Sequence, residues 1–424
     1  MRKSRIVVLA AVLLAVGALS WLLMRKQEQR RADSSVPSQE IVYTGEEFCM
    51  DTFVTQRAYG DAGEEAVQEV NRLLQEMETT YSAYRSDSQI SKINAWAGIS
   101  AVEVPDEVFS VVRRSLQLSE ASGGVFDVTV APLVQLWEIT SENPKVPSAD
   151  AISYALSYVG WGQVTLDEET KTVWMPRPGI SLDLGGVLKG YAAEKCREVY
   201  EEKGVSGILS LGGTVVTAGR KPDGSEFQIG LRDPQKGAND LFGTLSGEDR
   251  IIATSGGYER YFEEDGKRYG HILDPRTGYP AETDLLSVTA ISSDGLLADY
   301  LSTTLYLLGS DTVKENLNRP EFSVIAVKED GTVLISDDLR EKFTLQEDAG
   351  YVLAEKQRVD RRRDPADGGT AFQLAVFSSE GGNRTDHLRW KSRLHCGSFD
   401  GSGIFFGGRP YRAVSGGKGE HRFH

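Results

Sequence analysis

The stretch 294–309, DGLLADYLSTTLYLLG, constrains this chain more than any other part of it. It opens on Asp294, a candidate N-cap, and closes on Gly309, while Leu296, Leu297, Tyr300, Leu301, Leu305 and Leu308 surround most of the helix circumference. A helix that is apolar on nearly all sides must be buried inside the protein. Asp299 and Thr303 stand at i and i+4 on one face of it. A carboxylate in such a place is costly unless a cation or hydrogen bonds compensate it. Two readings are open. Aspartate and threonine oxygens, completed by a backbone carbonyl and phosphate oxygens, form an oxygen-only set suited to Mg²⁺. Alternatively, Asp299 caps a helix or pairs with an arginine, and Thr303 bonds back to its own helix.

The rest of the chain, 424 residues in all, is uneven. Its net charge of −15 lies outside the basic range of nucleic-acid binders, so no nucleic-acid partner is expected. Cys49, Cys196 and Cys396 are too few and too scattered for a disulfide framework or a structural zinc site. Residues 1–26 read as an N-terminal membrane anchor or signal segment: a basic start precedes about 19 apolar residues, Ile6 to Met24, enough to cross a bilayer core. The run leads directly into Arg25-Lys26 without a small-x-small exit, which favours an uncleaved anchor with the body outside the cytoplasm. Residues 27–40 form a polar linker. The body spans 41–354, and residues 355–424, rich in Arg and Gly, read as a disordered tail, with a histidine-based metal site there as the lesser alternative.

Within the body, Val70, Leu73, Leu74 and Met77 follow the helical period in 64–81, and Val108, Val111, Val112 and Leu116 do so after Pro105-Asp106. Short β-branched strands are expected in 162–174 and 285–291. Helices and strands in mixed order, joined by hairpin-like turns, indicate an α+β or α/β domain.

Two further segments carry chemistry. In 179–195, GISLDLGGVLKGYAAEK, the alternation of Ile180, Leu182 and Leu184 with Ser181 and Asp183 predicts a strand, and Gly185-Gly186 turns it into a helix ended by Gly204. The open N–H groups of that helix start, with Lys189 in its first turn, suit an anion. The plain alternative is a tight turn with a surface lysine. In Tyr269-Gly270-His271-Ile272-Leu273-Asp274-Pro275-Arg276-Thr277-Gly278, a rigid turn follows His271, the only histidine before residue 355. His271 either packs structurally or holds a ligand or a proton.

The chain resembles the FAD:protein FMN transferases, the ApbE family, over about residues 48–350. The resemblance rests on ordered motifs: Met50-Asp51-Thr52, Tyr81–Ser88, Gly124-Val125-Phe126-Asp127, Leu182–Tyr191, Leu209–Thr214, Ala253–Tyr258, His271–Gly278 and Ala298–Thr303. It implies a two-lobed α+β fold of mixed sheets and packed helices, with FAD in the cleft and Mg²⁺ bridging protein to pyrophosphate. By the same resemblance Met50, Tyr84, Val125, Phe126, Asp127, Asp183, Lys189, His271 and Leu273 would contact FAD, and the Gly186 carbonyl, Asp299 and Thr303 would hold the metal. The family's Met-Gly-Thr start is Met50-Asp51-Thr52 in this sequence, and no cysteine closes the apolar N-terminal run.

The implied reaction moves FMN from FAD to a Thr or Ser hydroxyl of an acceptor protein and releases AMP. Acceptors would be proteins with FMN-binding domains, such as extracytoplasmic subunits of membrane redox complexes. Asp183 and His271 are the two candidates for the group that takes the hydroxyl proton. A Mg²⁺-dependent FAD pyrophosphatase and a non-catalytic extracytoplasmic flavin-binding protein are the alternative readings of the same residues.

Overall fold

The structure, a computed structural model, describes residues 41–356. The expected membrane segment and linker, and all but the first two residues of the expected tail, lie outside the described residues.

Nine strands follow one another across the main sheet in chain order. They are β1 (Val42–Cys49), β2 (Thr52–Tyr59), β3 (Ser206–Leu211), β4 (Thr214–Ala218), β5 (Ile251–Gly256), β6 (Leu285–Ser292), β7 (Ser323–Lys328), β8 (Thr332–Ile335) and β9 (Val352–Leu353). Neighbours are antiparallel from β1 to β8, and only β8 and β9 run parallel. Antiparallel pairing decides for α+β and against α/β. Eight α-helices occur among the described residues: α1 (Gly63–Tyr81), α2 (Gln89–Ala95), α3 (Asp106–Ala121), α4 (Ala131–Trp137), α5 (Ala149–Leu156), α6 (Leu188–Glu202), α7 (Gly295–Leu308) and α8 (Ser310–Asn316).

Strand alternation splits the apolar side chains between two cores. Ala253, Val288, Ala290, Val324 and Ala326 join the cluster that holds Leu74 of α1, Ala192 of α6 and Leu301 of α7. Ile252, Ile291, Ile325 and Val327 point the other way, onto Phe227, Ile229, Phe242, Leu245 and Phe343 of a second sheet formed by Phe227–Arg232, Leu241–Gly247 and Phe343–Leu345. The sheet is therefore covered on both faces at β5 to β8, whereas β1 and β2 leave one face open, and α7, packed on β5, β6 and α6, is enclosed as its composition demands. A third cluster, Leu133, Trp137, Ile152, Ala155 and Leu273, joins α4 and α5 to the turn after His271, where the Trp137 indole donates to the Gly278 carbonyl at 2.8 Å.

Both periodic helices form, as Gly63–Tyr81 and Asp106–Ala121. Segment 162–174 resolves into the hairpin Thr165–Asp167 and Thr172–Trp174. One expectation fails: residues 180–184 form no strand and belong to no sheet. Their alternation is real, since Ile180, Leu182 and Leu184 are buried. What replaces the ladder is the Asn94 side chain, which accepts from Leu182 N at 2.7 Å and donates to Leu182 O at 2.9 Å, together with the Val128 carbonyl, which accepts from Asp183 N at 2.8 Å. A single side-chain amide can satisfy one residue's donor and acceptor, so the segment needs no neighbouring strand there.

Helices α6 and α7 touch backbone to backbone. A Cβ added to Gly190 or to Gly295 would lie 1.9 Å from the other's carbonyl oxygen, so only glycine fits either place.

Candidate active site

Segment 180–184 ends where Gly185–Val187 turns into α6. Asp183 organises that turn: one carboxylate oxygen accepts from Gly185 N at 2.7 Å and the other from the Tyr84 hydroxyl at 2.8 Å. Phe126 lies over Gly186, where a Cβ would come within 2.8 Å of the ring, and meets Tyr300 of α7 edge-on at 5.3 Å. Tyr84, Phe126 and the segment of Asp183 and Gly186 are thus brought together from three separate parts of the sequence.

The first turn of α6 departs from ordinary helical bonding. The Gly190 N–H, whose helical acceptor would be the Gly186 carbonyl, donates instead to Asp299 Oδ2 at 2.8 Å. No hydrogen bond to the Gly186 carbonyl is formed among the described residues. The other Asp299 oxygen accepts from the Thr214 hydroxyl at 3.3 Å. Asp299 is therefore bound at the positive end of α6, and the capping reading of this residue holds in part. Burial still pushes its carboxyl above the usual range, against the Lys189 ammonium and the α6 N–H groups, and it makes no salt bridge among the described residues. Thr303 does not bond back to its own helix; its hydroxyl meets Ser255 Oγ at 3.1 Å.

These groups fit a hard divalent cation. One buried carboxylate left without a full counter-charge, one hydroxyl on the same helix face and one carbonyl freed from its helical bond make an oxygen-only set of few protein ligands, as Mg²⁺ prefers. No cluster of three His, Cys, Asp or Glu side chains suited to a metal occurs among the described residues.

His271 follows the hairpin of Tyr261–Glu264 and Lys267–Gly270. Its backbone N–H donates to the Arg260 carbonyl at 3.0 Å, and its ring Nδ1 lies 3.3 Å from the same oxygen. A carbonyl can only accept, so Nδ1 carries the hydrogen and Nε2 keeps its lone pair. Burial, with the Lys189 and Arg260 cations, pulls the ring down to about 4, so it is neutral at physiological pH. The unfolded chain takes up this proton near 6.5 and the folded chain only near 4, so falling pH removes stability across that window. In urea titrations from pH 7 to 4, the His271→Gln protein is expected to lose less stability than the unsubstituted protein. Parallel losses would contradict the burial of a neutral imidazole.

Lys189 lends charge to the whole region, because it also opposes the rise of the Glu259 carboxyl, which surrounding protein desolvates although the side chain is solvent-accessible. Asp127 is buried and wholly engaged, accepting from Thr129 N at 2.8 Å, Thr129 Oγ1 at 2.6 Å and Trp161 N at 2.9 Å. Val125 and Leu273 place their side chains in apolar clusters, so only their backbone is available to a ligand. Met50 sits with Asp51 in the two-residue β1–β2 turn, both at positive φ (53° and 58°). Asn94, Thr214, Ser255, Glu259 and Arg260 also shape the site. Their neighbours in sequence include recognisable motifs, but no pattern marks Asn94, whose partner is 88 residues away.

The family model described as the ApbE family matches residues 50–326. The chain belongs to the ApbE family. Among ApbE-family relatives, it is 37% identical over 284 residues to the FAD:protein FMN transferase of Klebsiella pneumoniae (strain 342), an alignment covering 66% of this chain and 88% of that one. It is 36% identical to the FAD:protein FMN transferase of Treponema pallidum (strain Nichols), over 58% of this chain and 71% of the relative. The crystal structure of the ApbE protein from Thermotoga maritima superposes with a TM-score of 0.67 at 32% identity, covering 71% of this chain and 99% of that one.

Proposed function

We propose that this ApbE-family protein is a Mg²⁺-dependent FAD:protein FMN transferase that joins FMN to a Thr or Ser hydroxyl of an acceptor protein and releases AMP. The observation that carries this reading is the diverted Gly190 N–H, which ties the buried Asp299 to the head of α6 and leaves the Gly186 carbonyl open beside it. Two of its relatives are named FAD:protein FMN transferase.

Asp299, the Thr303 hydroxyl and the Gly186 carbonyl would hold the cation. When bound, Mg²⁺ neutralises charge on the FAD pyrophosphate. Lys189, held in no ion pair among the described residues, adds a second positive charge there. FAD would lie in the cleft of a two-lobed body, facing Met50, Tyr84, Val125, Phe126, Asp127, Asp183, His271 and Leu273. The acceptor oxygen attacks the phosphorus on the FMN side, the bond from that phosphorus to the bridging oxygen breaks, and AMP departs with that oxygen. The hydroxyl proton goes to His271 Nε2, the ring nitrogen left free by the Arg260 carbonyl. Asp183 already accepts from Tyr84 and Gly185, which suits it to shaping the FAD-facing loop.

The apolar run Ile6–Met24 supports a tether that holds the body at the extracytoplasmic face of the cell membrane, with extracytoplasmic subunits of membrane redox complexes as acceptors. Every proposed site residue lies between 50 and 303, so deleting residues 357–424 is expected to leave the transfer rate unchanged. A tenfold loss in a folded, monodisperse truncation would contradict that boundary.

The test is AMP release from FAD with and without Mg²⁺ and an acceptor carrying an FMN-binding domain. Transfer predicts AMP only when metal and acceptor are both present, in step with flavin on the acceptor. AMP and free FMN formed without acceptor would identify a pyrophosphatase, and stable FAD binding with no AMP a flavin carrier.

A further inference from the structure

Arg260 joins two parts of the site that are far apart in sequence. Its guanidinium reaches the β1–β2 turn and donates twice to Asp51, once to the carboxylate and once to the backbone carbonyl. Its own carbonyl receives both hydrogen bonds from His271, one from the backbone N–H and one from Nδ1. The clasp therefore runs from the turn that carries Met50, through residue 260, to the imidazole.

The pair adds little to stability. Arg260 and Asp51 side chains are 40% and 74% exposed, and water screens ion pairs so placed. Its geometry is nevertheless specific, because the two Arg260 N–H groups that meet the Asp51 carboxylate and carbonyl are fixed in one plane, a constraint that the freely rotating donors of an ammonium lack. Asp51 also holds a positive φ of 58°, a conformation that a side chain tolerates poorly unless, as in Asp or Asn, it is short and polar. This chain thus carries, where the family start has glycine, a short polar residue that the turn can hold, and both its carboxylate and its carbonyl meet one arginine.

We propose that Asp51 is a positioning residue for flavin transfer, fixing His271 through Arg260. The carboxylate and carbonyl of Asp51 hold the Arg260 side chain, this restrains the residue 260 backbone, and the Arg260 carbonyl then sets the ring plane of His271 and keeps the hydrogen on Nδ1. Asp51 touches neither phosphorus nor metal in this account. The inference rests on His271 receiving the acceptor proton, as proposed above.

The test compares Asp51→Asn and Asp51→Gly, both of which suit the turn at positive φ, in the unsubstituted protein and in a His271→Ala background. His271→Ala alone should lower kcat by about a hundredfold or more, the scale of losing a general base. Asp51→Gly should lower kcat for flavin transfer by about tenfold with little change in KM for FAD, the signature of an interaction felt in the transition state. Asp51→Asn, which keeps an oxygen acceptor, should lose less. Neither change should have any further effect when His271 is already alanine. An equal loss in both backgrounds, or no loss in the unsubstituted protein, would overturn the proposal while leaving His271 in its role. Full activity of His271→Ala itself would instead overturn the role of His271, and the clasp's function with it.

Discussion

Replacing Asp299 by alanine is expected to lower AMP release and flavin transfer by about a thousandfold or more, while the protein stays folded. The size follows from what is lost: a metal site with one carboxylate keeps little affinity without it, and charge neutralisation is the main contribution to phosphoryl transfer. The change also acts on the neighbouring backbone. With the carboxylate gone, the Gly190 N–H is released to its ordinary helical acceptor, the Gly186 carbonyl, so a second proposed ligand is occupied at the same time. Stability should change little. Removing the anion from the head of α6 costs about 1 kcal/mol, as for other helix caps, but it also relieves a buried charge whose carboxyl is already raised by desolvation. Turnover and urea midpoints of Asp299→Ala and Asp299→Asn measure both effects. Near-normal turnover of either variant at limiting Mg²⁺ would remove Asp299 from the site.

Gly190→Ala has the largest expected effect on the fold. Its methyl group would fall 1.9 Å from the Gly295 carbonyl oxygen and 2.9 Å from Asp299 Cβ, both on the enclosed helix α7. A backbone oxygen in the interior cannot swing aside as a flexible side chain can, so α6 and α7 must separate. Overpacking of this kind costs about 1–3 kcal/mol or more. Separation would also pull the Gly190 N–H from Asp299, and a shift of about 1 Å in positioning groups can cost a hundredfold in rate. The variant should therefore melt several degrees lower and lose most of its activity even where it remains folded. Gly295→Ala, which meets the Gly190 carbonyl at the same distance, should behave alike. A normal melting temperature for both would mean that the helices are not in backbone contact.

The helices were the legible part of this chain. The α7 pattern reads directly because a single stretch carries its cap, its apolar circumference and its closing glycine, and the structure finds the Asp294 side chain accepting from Leu297 N at 3.0 Å and the helix ending at Gly309. The turn after His271 is similarly self-contained, with the Gly278 N–H donating to the Asp274 carbonyl at 2.8 Å and Gly278 at a φ of 79°. Residues 180–184 show the opposite case. Alternation reports which side chains are buried, not what the backbone pairs with, and here the partner is one asparagine on α2. Residue types singled out in the sequence do lie near one another, since the Lys189 charge acts on both His271 and Asp299. The wiring of the site was not legible. That Asp299 borrows a hydrogen bond from α6, or that Arg260 ties Asp51 to His271, depends on contacts 109 and 209 residues apart, which no local period encodes.

Direct metal binding tests the central claim without depending on turnover. Mn²⁺, a paramagnetic substitute for Mg²⁺, can be titrated into the purified protein and followed by the loss of its free-ion electron paramagnetic resonance signal, with and without FAD. One ion should bind per chain, FAD should tighten it because each ligand supplies charge that the other needs, and Asp299→Asn should abolish the FAD-dependent part. Binding that is indifferent both to FAD and to Asp299→Asn would contradict the assignment of this carboxylate, and with it the account of how the fold activates the pyrophosphate.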